Sequence, residues 1–307
     1  MAKSNKTHGK PFVKWAGGKG QLISSIEQVL PKELYKLPKL TYIEPFIGGG
    51  AMLFWMLNNF KNITKTVIND INCDLTTAYK TVRDNASDLV VNLKRLEKAY
   101  KSLQSEESRK EFYLEQRKIF NTKQLNDTEN TSLFIFLNHT CFNGLYRVNK
   151  SGMFNVSFGK SIPTICDENT IFADSKLLQK VEILAGDFSQ ILCHATGNTL
   201  FYLDPPYKPL SQTSNFTSYS KEKFDDLEQI RLKLFCDQLD EQGSFWILSN
   251  SDVRSTDPDN LFFDDLYSQY TIHRVWASRF INASPMKRGK LSELLITNYG
   301  KIKYPQN

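Results

Sequence analysis

No stretch of this 307-residue chain is long enough and apolar enough to cross a membrane: the longest apolar run near the front, residues 51–57, falls far short of the ~18 residues a span needs. Lys3, Lys6 and Lys10 are not followed by an apolar stretch of signal-peptide type, which argues against secretion. Cysteine is scarce. The five, at positions 73, 141, 166, 193 and 236, form an odd set with no C-x-x-C pair, which suits reduced thiols in a cytoplasm. His139 and Cys141 lie close together, but no second pair completes a metal site. There is no internal repeat and no long low-complexity tract.

Acid is missing locally as well. From residue 130 through 166 there is no Asp or Glu, while Arg147, Lys150 and Lys160 alternate with Phe142, Tyr146, Phe154 and Phe158. The first twenty residues also lack acid and carry five lysines. Cations interleaved with aromatics suit phosphate contact and base stacking, and a net charge of +6 is compatible with an anionic partner. A solvated basic face accounts for either segment alone, less readily for both.

What is present is an alternation of β-rich and helix-length segments. Apolar runs at 40–46, 66–69, 181–185, 199–203, 244–249, 271–277 and 294–299 read as strands of an α/β domain with a mostly parallel sheet. Between about 73 and 167 the pattern breaks. Residues 75–120 look helical and charged, 131–137 is the first candidate strand after them, and the polar stretches 102–108 and 121–130 read as surface loops. This segment is expected to be an insertion between halves of the sheet.

The chemistry falls at strand ends. Asp204-Pro205-Pro206-Tyr207 follows the run 199–203, in the place where open α/β sheets put active sites. Two prolines end the strand and hold Asp and Tyr in a stiff, extended turn. An acidic acceptor, a proline carbonyl and an aromatic face side by side suit an exocyclic amino group on a planar base. Ile43-Glu44-Pro45-Phe46-Ile47-Gly48-Gly49-Gly50 is a strand followed by glycines that let a ligand approach the backbone, and Asp70 ends a second strand about twenty residues later, where an acid accepts hydrogen bonds from a ribose diol. Asp187, again just past a strand, is a candidate to hold an adenine amino group, with Phe188 packing on the ring. Trp15-Ala16-Gly17-Gly18-Lys19 is not a phosphate loop, because Val13 stands where that pattern needs glycine and Gly20 where it needs Ser or Thr. Trp15 either stacks on a ligand or fills the core, and Lys19 either pairs with a carboxylate or lies on the surface.

Taken together, the Lys14-Trp15-Ala16-Gly17-Gly18-Lys19 start, Glu44-Pro45-Phe46 with its three glycines, Asn69-Asp70, Asn143-Gly144-Leu145-Tyr146-Arg147, Phe154-Asn155-Val156, Gly186-Asp187-Phe188, Asp204-Pro205-Pro206-Tyr207, 214–219, Ser249-Asn250-Ser251 and Arg288-Gly289-Lys290 resemble the DNA adenine-N6 methyltransferases of the group that includes the bacterial Dam and DpnM enzymes, the D12 class with the alpha order of motifs. The resemblance spans nearly the whole chain. It implies a seven-stranded S-adenosylmethionine-dependent methyltransferase fold, with helices on both faces of a mostly parallel sheet. In that fold 1–72 and 168–307 form the catalytic domain and 73–167 an inserted, mainly helical target-recognition domain.

By the same resemblance Trp15, Lys19, Phe46, Gly48, Asp70, Asp187, Phe188 and Asp204 surround S-adenosylmethionine, Asp204, Pro205, Pro206 and Tyr207 hold a flipped adenine, and no metal takes part. Arg147 is the candidate for bidentate contact with a guanine, Lys14 for the outer guanine, Leu145 for a thymine methyl, Phe142 for an aromatic wedge in the opened stack and Asn143 for the orphaned thymine. Ser157 stands where the family often has proline, which puts one base pair of the expected GATC site in doubt. The resemblance further implies double-stranded DNA as partner, with or without a cognate restriction endonuclease, and a monomer in a bacterial or phage-infected cytoplasm. Ribosomal-RNA and protein-glutamine methyltransferases share the strand-end Pro-Pro-Tyr, but with Asn in place of Asp204 and no Arg147 insertion. A catalytically silent DNA-binding module is the alternative of another class.

Overall fold

The structure, a computed structural model, describes residues 8–15, 20, 22–210, 224–278 and 290–300. Lys19, the stretch 214–219 and the basic residues Lys287 and Arg288 lie outside the described residues. In chain order the elements are α1 (Ile23–Val29), β1 (Leu40–Glu44), α2 (Ala51–Asn59), β2 (Ile63–Asp70), α3 (Cys73–Asp84), α4 (Ala86–Ser102), α5 (Glu106–Asn121), α6 (Asp127–Thr140), α7 (Glu168–Leu178), β3 (Val181–Ala185), β4 (Thr199–Leu203), α8 (Asp226–Glu241), β5 (Phe245–Ser251), α9 (Phe262–Leu266), β6 (Thr271–Ser278) and β7 (Lys290–Thr297).

Among the described residues the strands form one seven-stranded sheet in the order β3-β2-β1-β4-β5-β7-β6, parallel except for β7. Alternate side chains feed two cores. Tyr42, Ile68, Leu200, Tyr202, Ile247 and Leu295 pack on one face. Ile43, Val67, Phe201, Leu203, Trp246 and Leu248 pack on the other, against α8 and α9. With both faces covered the strands read as continuous apolar runs, which is why they stood out in the sequence.

The stretch expected to be an insertion, 73–167, departs from the sequence reading in two places. Residues 131–137 are the middle of helix α6, not a strand. Asn126 and Glu129 close a capping box at its start, and nine of its fourteen residues, from Thr131 to Leu137 with Asn138 and Thr140, are buried, so no amphipathic period distinguishes the helix from a buried strand. The two polar stretches are loops only in part: Ser105 accepts the Ser108 N–H as N-cap of α5, and Asn126 does the same for α6, so residues 106–108 and 127–130 are helical first turns. Helix α3 packs on β2, β3 and α7, and on α4 and α6 as well.

Asp174 on α7 is fully buried. It accepts the Lys10 N–H through Oδ1 at 3.0 Å, while its Oδ2 has no hydrogen-bond partner. Burial pushes its carboxyl up to about 8 against the partial relief of the Lys10 N–H, with Asp167 adding repulsion. A raised carboxyl keeps a proton that the unfolded chain has lost, so stability falls as pH rises from about 4 to 8, by on the order of a few kcal/mol in total. Asp174→Asn is therefore expected to gain on the wild type in thermal melts between pH 5 and pH 9. A pH-independent difference would show that this carboxyl does not carry the effect.

Candidate active site

β1 leads on to β2 on one side of the sheet and β4 to β5 on the other, so the boundary between β1 and β4 is the switch point where a ligand crevice opens beyond the strand ends. The glycine turn lies there. Gly48 and Gly50 have φ of +48° and +72°, and a Cβ on them would lie 2.9 Å from the Trp15 ring and 2.4 Å from the Tyr79 hydroxyl oxygen respectively, so only glycine fits.

Asp70 closes the turn from β2, accepting N–H groups from Gly48 at 3.1 Å and Asn72 at 2.9 Å; burial nevertheless pushes its carboxyl up to about 6. Asn69 donates to the carbonyls of Pro45 and Gly186 and accepts from the Gln190 amide at 2.7 Å, tying the end of β2 to the segments that follow β1 and β3.

At the end of β3, Asp187 is gripped by Arg231 of α8 through two bonds of 2.9 and 2.7 Å, and by the Ser189 N–H. The Arg231 guanidinium holds this carboxyl well below the usual carboxylate range. The same guanidinium lies 4.1 Å over the Phe188 ring. Phe188 is buried, with half-buried Phe46 tilted against it at 5.2 Å and Phe224 edge-on to Phe46. Arg231 was not a sequence candidate, because its partner is 44 positions away and nothing local announces the pairing.

The Asp204 turn is fastened from beneath by the end of β5. Ser249 Oγ donates to Asp204 Oδ1 at 2.9 Å, Asn250 Oδ1 accepts the Lys208 N–H at 3.1 Å, and Ser251 Oγ donates to the Lys208 carbonyl at 2.6 Å. Gln229 of α8 donates to the Pro206 carbonyl at 3.1 Å and accepts from Asn250. Asp204 and Tyr207 are half-buried, Pro205 is buried and Pro206 exposed. The Tyr207 hydroxyl donates to Glu293 Oε2 at 2.9 Å. Strand-end carboxylate, two rigid prolines and a tethered tyrosine thus form one preorganised acceptor site.

The segment leading to Trp15 is strapped over the helices: Asn58 donates to the Gly9 carbonyl, Asp174 accepts from Lys10, and His139 lies 3.2 Å from the Phe12 carbonyl. Asn138, buried in α6, accepts the Lys14 N–H and donates to both the Lys14 and the Gly144 carbonyls. Trp15 stacks on Tyr146 at 5.5 Å and 23° while standing over Gly48 and Gly49, so it joins the glycine turn to the basic loop. An Asn within an apolar helical run was the one sequence signal for this clamp.

That loop doubles back on itself through bridges between Cys141 and Phe158 and between Val148 and Phe154. Phe142 is 55% exposed, and its N–H is bonded to the carbonyl of exposed Ser157. Asn143 adopts a left-handed φ of +55°. The Lys14 side chain lies over Gly144, where a Cβ would meet its Cδ at 2.5 Å. Leu145 is half-buried, and Arg147 Nε donates to Asn155 Oδ1 at 2.8 Å. Lys14, Phe142, Asn143, Leu145, Arg147 and Ser157 therefore belong to one loop system beside Trp15.

A mostly parallel sheet with such a crevice, glycine turn and strand-end Asp-Pro-Pro-Tyr is the architecture of an α/β methyltransferase. The chain belongs to the D12 class N6 adenine-specific DNA methyltransferases, whose family model matches residues 15–281. Membership implies S-adenosylmethionine as methyl donor and DNA as substrate. The chain is 48% identical over 295 residues to the type II methyltransferase M.MjaIII of Methanocaldococcus jannaschii, covering 94% of this chain and 99% of that one. It is 35% identical to M1.LlaDCHI of Lactococcus lactis subsp. cremoris, over 98% and 99% of the two chains. It is 31% identical to a DNA adenine methylase of Haemophilus influenzae, over 94% of each. Among the described residues no helix is long and apolar enough to cross a membrane.

Proposed function

We propose that the enzyme methylates N6 of adenine within GATC in duplex DNA, flipping the base into the site and transferring the methyl group directly. The observation that carries this is the Asp204 turn, held from three sides at the switch point and facing the glycine turn across β1 and β4. In this reading residues 73–167 form the target-recognition part, and a restriction endonuclease acting on the same sequence is a candidate partner.

The residues fit the methyl donor. The turn at Gly48 and Gly49 is sterically shaped against Trp15, and Asp70, acceptor-only when ionised, suits a ribose diol. Trp15, Lys19, Phe46, Gly48, Asp70, Asp187, Phe188 and Asp204 would hold it. When bound, S-adenosylmethionine supplies an electrophilic methyl group on sulfonium sulfur. The chain's own contribution is to orient N6 and stabilise charge: the Asp204 carboxylate and Pro205 carbonyl accept hydrogen bonds from the two N6–H groups, Pro206 stiffens the turn and Tyr207 stacks on the ring. Flipping costs a few kcal/mol, offset in part by that stacking and by Phe142 entering the vacated stack. Lys14, Asn143, Leu145, Arg147 and Ser157 lie near the bases to be read.

Transfer of labelled methyl groups to a GATC duplex, with none to duplexes changed at one base, tests this; equal labelling of all of them would refute it. The raised Asp70 carboxyl adds a pH dependence. Its ionised form dominates only above about 6, so donor affinity measured by calorimetry is expected to weaken, by up to about tenfold per pH unit, as pH falls below 6. Asp70→Asn is expected to bind weakly and without that slope. Affinity unchanged down to pH 5 in the wild type would remove Asp70 from the donor site.

A further inference from the structure

Because β7 runs opposite to β4 and β5, its beginning lies at the rim where Asp204 sits, and Ser251 at the end of β5 faces Glu293 in the ladder. Glu293 is the one acid in this strand and is only 7% exposed. Burying a carboxylate costs several kcal/mol unless hydrogen bonds compensate it, and the Tyr207 hydroxyl supplies one at 2.9 Å. The two prolines fix the backbone ahead of Tyr207, and the bond from its hydroxyl to Glu293 contributes to setting the ring plane. Burial, with the nearby Asp204 and Glu293 carboxylates, holds the phenol well above its ordinary range, which keeps it protonated and donating.

We propose that Glu293 is a positioning residue for methyl transfer: by accepting the Tyr207 hydroxyl it fixes the face on which the target base stacks and makes that ring more electron-rich toward a base gaining positive charge. The inference rests on the placement of adenine against Tyr207 proposed above. In this reading Glu293 acts through the Tyr207 ring.

Steady-state kinetics of purified variants on one GATC duplex test it. Glu293→Ala is expected to lower kcat about tenfold, the worth of one charge-assisted hydrogen bond, with both KM values within about twofold. Glu293→Gln keeps an acceptor and should recover kcat to within about threefold of wild type. In a Tyr207→Phe background, Glu293→Ala should cost less than about twofold more, since the tether is already gone. Tyr207→Ala, expected to lose about a hundredfold or more, reports on the base placement alone. Normal methylation by Tyr207→Ala would overturn that placement. A crippled Tyr207→Ala, together with a Glu293→Ala effect that is absent or equal in both backgrounds, would overturn the tether. Should Glu293→Ala fail to fold, Tyr207→Phe decides from the other side, and an unchanged kcat there overturns the proposal.

Discussion

Asp204→Ala is expected to reduce methyl transfer by about a thousandfold or more while leaving DNA affinity within about threefold. The physical reason is that this carboxylate is the charged member of the acceptor site. Ser249 fixes its Oδ1 at 2.9 Å, so its direction is set before a substrate arrives. An amino group that attacks a sulfonium methyl gains positive charge in the transition state, and a preorganised carboxylate interacts more strongly with that charge than with the neutral amine. The loss should accordingly fall on kcat, with the KM values little changed. Single-turnover transfer and DNA binding by fluorescence anisotropy, run on the same preparation, separate the two quantities. Normal turnover by Asp204→Ala would place the chemistry elsewhere.

The second large effect is expected at Arg147, on specificity and not on rate. A bidentate contact with guanine discriminates by ~1–3 kcal/mol, so Arg147→Ala should narrow the preference for GATC over a duplex with that guanine replaced by about ten- to a hundredfold. The shift in melting temperature produced by S-adenosylmethionine should persist, because no described contact of Arg147 reaches the glycine turn. The Arg147 fork is held in advance by Asn155, through Nε to the side chain at 2.8 Å and Nη2 to the carbonyl at 3.3 Å. Asn155→Ala is thus expected to reproduce part of the specificity loss while leaving the guanidinium in place. Competition between the two duplexes in one tube gives the ratio directly, and an unaltered ratio for Arg147→Ala would take this residue out of the recognition surface.

The sequence made the active rim legible wherever chemistry follows immediately on a strand. The first four strand ends read at 46, 69, 185 and 203, within two residues of the observed Glu44, Asp70, Ala185 and Leu203, because buried parallel strands are unbroken apolar runs and the acids and glycines after them break the pattern abruptly. α6 was misread for the same reason: buried on every side, it has the composition of a strand and no amphipathic stripe. What stayed hidden are partners that meet only through the topology. Asn138 reaches Lys14 across 124 positions, Glu293 reaches Tyr207 across 86, and Arg231 reaches Asp187 across 44. Two of the three do carry a local oddity, a polar residue inside an apolar element, at Asn138 and at Glu293. The oddity marks a buried polar group that must find a partner, without saying which.

The engagement of Asp187 by Arg231 also qualifies its assignment to an adenine amino group. Oδ1 already accepts from Ser189 and from Arg231, and Oδ2 from Arg231. A ligand amino group there would share a carboxylate whose geometry Arg231 has set. If Asp187 and Phe188 hold the donor as proposed, Arg231, with its guanidinium stacked on Phe188, would form part of the same wall.

The most direct measurement is a map of N6-methyladenine across the genome of a host that lacks adenine methylation, after expression of this chain beside its Asp204→Ala variant. The expected result is methylation confined to GATC with the wild type and none with the variant. Methylation at another motif would keep the reaction and overturn the assigned bases, with Ser157 the first position to revisit. An unmethylated genome, with the wild-type protein soluble and binding S-adenosylmethionine and its label recovered in RNA or protein, would contradict the proposed substrate itself.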